Sequence, residues 1–378
     1  MYILLYSLIF VLCIIGIFIK PKTNILQYII LMIICFLTGR GAITNDTPNY
    51  YYGYLITPYK SYSETYEPGY LLLTKIGYFL GANYVEFRTA IIFIALLLLH
   101  RLVNKVAGKN SYYFYIFYAM FLIFIDNEQH RSFLAFSLIA CGISFLLFSK
   151  KIKGVFQYLF FVLIASTLHA SSLLYLPLVL VKLNNQRKLS HFIAAFSLIG
   201  CLLIFFNIFS VSFITNIITN ISDGAERTAA YGAVEVRFGF LYAFFLHSIS
   251  IAILYKIYRM LYDKNRFYLN KGFDSSLVQY NIYIYKFILT LNIISIIYFP
   301  FYMFNLQFIR IARNIFLLNL IWFAASMFVF DKKYVKKYLI LLMVIILIIL
   351  WFYYTFIVSD HIEDVLMPFF DKSTVLVS

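Results

Sequence analysis

Apolar runs and short polar connections alternate along the whole chain. The runs are Tyr2 to Ile19, about Ile25 to Leu37, Tyr84 to Leu99, Tyr112 to Ile125, Ser132 to Phe148, Val155 to Val181, Phe192 to Phe209, Phe238 to Tyr255, Ile282 to Tyr302, the segment opened by Arg310 and Arg313, and Tyr338 to Ile357. In lipid, backbone polar groups must be satisfied within their own segment, so such runs predict membrane-crossing helices. The expected fold class is all-α: a polytopic integral membrane helical bundle of about 11–12 transmembrane segments, with one membrane domain covering residues 1–378. No internal repeat or low-complexity segment interrupts the pattern. The first run has no basic stretch before it and no small-residue cleavage site after it, so it reads as a retained span, with no soluble domain on either side of the membrane part.

Composition supports the pattern. The chain is 63% hydrophobic and 21% aromatic, outside the range of ordinary soluble domains. A net charge of +15 would suit a nucleic-acid partner, but the basic residues fall in short connections between apolar runs, as the positive-inside rule requires. Nucleic acid is therefore excluded as a partner and membrane lipid takes its place. Cys13, Cys35, Cys141 and Cys201 all lie inside apolar runs without disulfide or zinc spacing, and read as inert packing residues.

The charges also orient the spans. Lys20 and Lys22, then His100, Arg101, Lys105 and Lys109, then Lys150, Lys151 and Lys153 mark the inside, which puts both termini outside. The outer segments are then 40–83, rich in Tyr and containing a short interfacial helix begun by Glu67-Pro68 and ended at Gly81-Ala82-Asn83, and the long loop 210–237. The segment 256–280 reads as a basic inside loop. The run Val155 to Val181 is basic at both ends, and a single crossing would put one cluster on the wrong side. The conflict disappears if the chain turns around His169, forming a broken or re-entrant helix pair of the kind tolerated where backbone lines a cavity.

Between two apolar runs stand six polar residues, Asp126, Asn127, Glu128, Gln129, His130 and Arg131. A charge at membrane depth costs roughly 2.5–3.5 kcal/mol on insertion scales and marks a function by default. On the topology above, this hexad shares the outer depth with Arg88, His169, Arg310, Arg313 and Glu67, while Arg227 lies in the long outer loop. Arg131, His169 and Arg310 also sit near outward-facing helix N-termini, where backbone donors and the helix dipole favour an anion. Arginine forks bind phosphate oxygens bidentately, so Arg88, Arg131, Arg227, Arg310 and Arg313 are candidates for a diphosphate. His169, Glu128 and Arg131 are candidates for catalysis, His169 and Glu128 as bases. Asp46, Glu67, Tyr70, Asp126 and His130 are candidates for sugar contacts, and the acids equally for ion pairs that hold the arginines. There is no metal-ligand spacing, P-loop or dinucleotide motif, so neither a metal nor another cofactor is expected.

Three motifs carry a resemblance: Glu67-Pro68-Gly69-Tyr70 after the Tyr-rich segment, the run Arg131-Ser132-Phe133-Leu134-Ala135-Phe136-Ser137, and Ala165 to Leu173 around His169 followed by Leu176-Pro177. In these the chain resembles the Wzy-type O-antigen and exopolysaccharide repeat-unit polymerases, in particular their EpsG-like branch. The motifs cover about the first half; the second half matches in hydropathy and in the Arg310/Arg313 pair. The resemblance implies a multi-pass protein of the bacterial inner membrane with its site on the outer, periplasmic side. It implies a glycosyltransferase joining undecaprenyl-diphosphate-linked oligosaccharide repeat units, with a flippase and a chain-length regulator of the same pathway as partners. The alternatives are a polyprenyl-linked-sugar glycosyltransferase or O-antigen ligase, and, from another class, a lipid-linked oligosaccharide flippase. A flippase calls for polar groups through the midplane and two related halves, whereas here the polar residues crowd one side.

Reporter fusions check this topology. Alkaline phosphatase joined after Glu128 is expected to be active, and fusions after Ile152 and after Leu183 inactive. Activity after Leu183 would mean that Val155 to Val181 crosses once, without the turn at His169.

Overall fold

The computed structural model describes residues 2–40, 46–57, 67–183, 186–206, 239–270, 276–304, 308–329 and 334–370. Among them regular structure is helical. Nine stretches are long and apolar enough to cross a membrane, and two shorter apolar helices, Ile25–Gly39 and Ala170–Lys182, add to them. The chain is thus a polytopic helical membrane bundle. The segment 210–237, expected as an outer loop, and Arg227 with it, lie outside the described residues.

The chain's contacts cluster into two units, 1–176 with 320–378, and 177–319. The first contains α1 (Tyr2–Ile19), α2 (Ile25–Gly39), α3 (Thr47–Leu55), α4 (Pro68–Phe79), α5 (Tyr84–Ala107), α6 (Ser111–Met120), α7 (Leu122–Glu128), α8 (His130–Phe148) and α9 (Lys151–Leu168). At its centre α8 packs on α5 and on α9. Buried residues surround α8 on every face, the pattern of a helix enclosed by its neighbours rather than by lipid.

The hairpin α8–α9 sets the geometry of this unit. Only Ser149 and Lys150 separate the two helices, so they run antiparallel with no slack. Arg131 and His169 stand 19 residues before and 19 residues after Lys150. At about 1.5 Å per residue both lie roughly 28 Å from the turn, at the same end of the pair. The register is fixed near the turn by Gly154, where an added Cβ would lie 2.8 Å from the Phe145 carbonyl oxygen. Small residues at such points let helix backbones approach closely in membranes.

Several elements depart from the hydropathy pattern. The polar segment after Arg40 forms the helix α3, with Pro48 in its first turn, which puts Tyr50, Tyr51, Tyr52 and Tyr54 on one short helix. The run Tyr112 to Ile125 is broken at Phe121 (φ −146°, ψ −61°), which contains neither Gly nor Pro. Phe121 is buried and packs its ring against Trp351 and Phe356, so aromatic packing is what the break serves. The hexad is not an exposed wedge. Asp126, Asn127 and Glu128 end α7, His130 and Arg131 begin α8, and only Gln129 (φ −101°, ψ 44°) leaves the helical path.

The break at His169 falls where the charge pattern requires one, and it is confined to a single residue. The helix α9 continues through Leu168, His169 is extended (φ −156°, ψ 109°), and a 3-10 helix, Ala170–Lys182, follows at once.

The second unit holds α10 (Gln186–Phe205), α11 (Gly239–Asn270), α12 (Ser276–Ile294) and α13 (Phe299–Phe304), and the start of α14 (Ile309–Val329). Helix α15 (Tyr334–Phe352) returns to the first unit. The 32-residue α11 is roughly 48 Å long, more than the hydrocarbon core of about 30 Å. Lys256, Arg259, Lys264 and Arg266, expected in an irregular inside loop, therefore stand on helix. Inside this unit Asn292 and Asn319 exchange two side-chain hydrogen bonds of 2.7 and 2.9 Å, and Ser295 Oγ lies 2.9 Å from His247 Nε2.

A Gly154→Val substitution tests the hairpin. It is expected to lower the thermal stability of the detergent-solubilised protein by about 1–3 kcal/mol, the cost of overpacking a close contact, as read by fluorescence-detected melting. An unchanged melting curve would show that the α8–α9 register has slack.

Candidate functional site

Glu67 is the first residue of the site. It occupies the N-cap position of α4 with extended backbone (φ −61°, ψ 148°), yet its carboxylate makes no cap bond to its own helix. Pro68 supplies the φ and the missing donor suited to the first helical position, so α4 starts without that cap. The carboxylate instead reaches across to α8 and to the end of α9. Oε2 accepts from Arg131 Nη1 at 2.5 Å, Oε1 accepts from the Ala170 backbone N–H at 2.9 Å, and His169 Nδ1 lies 3.4 Å from Oε1.

The neighbouring motif residues explain why α4 comes so close. Helix α4 packs on α9, and at Gly69 an added Cβ would run into Thr167, lying 2.8 Å from both its Cβ and its carbonyl oxygen. Any larger residue would push α4 away from the end of α9, and Glu67 away from His169. Tyr70, buried one residue further on, places its hydroxyl 2.9 Å from His130 Nε2, which ties α4 to the start of α8. Glu67, Gly69 and Tyr70 thus each join α4 to the α8–α9 hairpin by a different physical means, while Pro68 starts the helix between them.

Aromatic rings complete the walls. The Arg131 guanidinium lies 5.6 Å from the Tyr70 ring centre and 6.0 Å from that of Tyr50, a cation–π arrangement on two sides. The Tyr50 ring stands edge-on to His130 at 4.4 Å, and Tyr84 reaches His130 at 6.4 Å.

The cluster is partly withdrawn from water, with side-chain exposures of 16% for Arg131, 22% for Glu67 and 21% for His169. Burial by itself would raise the Glu67 pKa. The His169 hydrogen bond, the Arg131 charge and the Ala170 amide outweigh it and hold the carboxyl at about 2, below its ordinary 4.5. Glu67 is an anion at any physiological pH. The nitrogen of His169 nearest it is Nδ1, which leaves Nε2 on the opposite edge of the ring as the proton acceptor.

The structure thus brings Glu67, Arg131 and His169 together, with Tyr70 and His130 beside them. Asp126 is buried in α7 and Glu128 is half-buried at its end; it is Glu67, not Glu128, that holds His169. Asp46 is half-buried at the start of α3. Arg88 is buried in α5 and donates from Nη2 to the backbone and side-chain oxygens of Asn127. Arg310 and Arg313 are half-buried at the start of α14, within the second unit.

Sequence reasoning missed Asn127 as a partner of Arg88, Tyr50 as a wall of the Arg131 site, and the buried His247–Ser295 pair. The signal for that pair was present: a histidine inside an apolar run is a polar group in need of a partner.

A helical membrane bundle that holds a carboxylate, a guanidinium and an imidazole together at the ends of three elements belongs to the class of multi-pass membrane proteins with a built polar site. The chain belongs to the EpsG family, whose family model matches residues 23–370, nearly its whole length. That membership places it among membrane proteins of polysaccharide biosynthesis. Comparison with curated proteins and with solved structures returns no match.

The depressed Glu67 pKa predicts a pH dependence. Such a carboxylate stabilises the fold fully above its unfolded value of 4.5 and loses that contribution as pH falls toward about 2. Melts of wild type and Glu67→Gln between pH 7 and pH 3 are expected to show an advantage for wild type at neutral pH that narrows below pH 4.5. A constant difference across the range would show that Glu67 is not held as an anion by its partners.

Proposed function

We propose that the protein is a polysaccharide repeat-unit polymerase, a glycosyltransferase acting on undecaprenyl-diphosphate-linked oligosaccharides at the outer face of the bacterial cell membrane. The observation that carries this reading is the single carboxylate shared by Arg131 and His169. Such a grouping suits a reaction that must deprotonate a hydroxyl and stabilise a diphosphate at one place.

In the proposed step, His169 Nε2 takes the proton from the non-reducing sugar hydroxyl of the acceptor repeat unit. The hydroxyl oxygen bonds to the anomeric carbon of the donor chain as the bond from that carbon to the diphosphate oxygen breaks. Undecaprenyl diphosphate leaves with the bonding pair. Arg131 neutralises the charge that gathers on it, which is electrostatic stabilisation of the transition state. Glu67 keeps Nδ1 protonated and steadies the imidazolium once it forms. The energy is already stored in the sugar–diphosphate bond, so the step consumes no nucleotide. Tyr50, half-buried beside Arg131, adds an apolar face against which a sugar ring packs. A flippase and a chain-length regulator would act before and alongside it.

The test is the polysaccharide gel ladder of a strain lacking the gene, complemented at matched membrane expression. The deletion is expected to leave product with a single repeat unit, and wild type to restore the ladder. His169→Ala is expected to reduce polymer by about 100-fold or more, in the range found for loss of a general base, and Arg131→Ala by a similar factor. If the deletion also removes the single-repeat product, the protein acts earlier, as a flippase or a glycosyltransferase of assembly, and this reading fails.

A further inference from the structure

Arg88 is a guanidinium inside a membrane helix, and it is only 1% exposed. One nitrogen, Nη2, donates to the Asn127 carbonyl at 2.6 Å and to Asn127 Oδ1 at 2.8 Å. Asn127 is itself 0% exposed and is the residue before the last of α7. Its carbonyl is one of the four at a helix C-terminus that have no partner within the helix. A cation there also meets the negative end of the helix dipole. Tyr84, Tyr70, Tyr50 and the Glu128 carboxylate lie within electrostatic reach of Arg88.

The consequence lies three and four residues further on. Gln129 breaks the path, and His130 and Arg131 open α8. Whatever fixes the end of α7 fixes where α8 begins, and with it the Arg131 guanidinium and the His130 ring that receives Tyr70.

We infer that Arg88 is a positioning residue: it acts through Asn127 to set the start of α8, and so aims Arg131 at Glu67 and at the substrate's diphosphate, without touching substrate itself. The inference rests on the polymerase reading for its catalytic readout, but not for its structural one. A lysine does not reproduce this contact, because its ammonium ends one bond nearer the backbone than Nη2 and is a compact, strongly hydrated charge that is costlier to bury.

Two measurements on Arg88→Lys test this. The first is the rate at which a short bis-maleimide bridges the pair Glu67→Cys with Arg131→Cys in membranes, with and without Arg88→Lys. It is expected to fall about tenfold, while the melting temperature shows a folded protein. The second is polymerisation in membranes carrying only Arg88→Lys. The maximal rate is expected to fall about 100-fold, the cost of a displacement near 1 Å, with KM for the lipid-linked donor within twofold.

An unchanged bridging rate with a raised KM would mean that Arg88 grips the diphosphate directly, which overturns the proposal. No change in either measurement overturns it too. A slowed bridging rate in a protein that proves to have no polymerase activity would sink the function while leaving Arg88 as the residue that sets α8. If Arg88→Lys fails to fold, Asn127→Ala removes only the Oδ1 contact. It is expected to slow bridging in the same direction, and an unaffected rate there overturns the proposal.

Discussion

Taking the Glu67 carboxylate four-fifths out of water costs free energy that only several donors together recover. Arg131 supplies one at the start of α8, and His169 and the Ala170 amide supply the others just past the end of α9. The three must therefore meet at one point, and the architecture around them is the means by which they do. The antiparallel hairpin brings the start of α8 level with the end of α9. The missing side chain at Gly69 lets α4 close on Thr167. Remove any of these and the carboxylate is left as a partly buried charge without its partners, which is far more costly than an apolar gap of the same size.

A bundle in lipid gains little from bringing apolar faces together, because lipid tails are as apolar as leucine. Close packing and satisfied polar groups decide which helices pair. Two of the bonds that join helices in the first unit fall at helix ends, where backbone groups are unpaired anyway. Glu67 serves Ala170 at the start of the 3-10 helix, and Arg88 serves Asn127 at the end of α7. Side chains with chemistry to offer are thus also the ones that terminate helices. Structure and function draw on the same residues here because a charge that ends a helix must already lie near polar company.

Much of this was legible in the sequence. The apolar runs reveal the class, and the basic residues on both sides of Val155 to Val181 demand a break where His169 provides one. Glu67-Pro68 and Gly81-Ala82-Asn83 bracket α4 closely, since Pro and Gly act through local sterics that any sequence displays. The kink at Phe121 was hidden because long-range aromatic packing causes it, with no local breaker. The pairing of Glu67 with Arg131 and His169 was equally hidden. Residue type and depth marked all three as candidates, but hydropathy carries no information about which acid faces which base. Glu128 stands three residues before Arg131, a spacing that would put both on one face of an unbroken helix, but the chain leaves the helical path at Gln129 between them.

Arg88 and Arg131 show why residue type alone cannot assign a role. Both are arginines of one unit, and both are candidates for an anion. Arg88 is closed off, bonded to a residue that is itself inaccessible, and a hydrogen bond to a charged group contributes about 1.5–3 kcal/mol. Exchanging Asn127 for a ligand would require that cost and a path through packed helices. Arg131 is 16% exposed against a carboxylate that is 22% exposed, and pairs open to solvent hold by about 1 kcal/mol or less. Its pair with Glu67 lies between these limits. A diphosphate carries more charge than a carboxylate and more oxygens for the fork to engage, so it can compete for Arg131. On the proposed function, the arrangement that holds Arg131 in place before substrate arrives also leaves it able to change partners, and that difference in access separates its proposed role from the one inferred for Arg88.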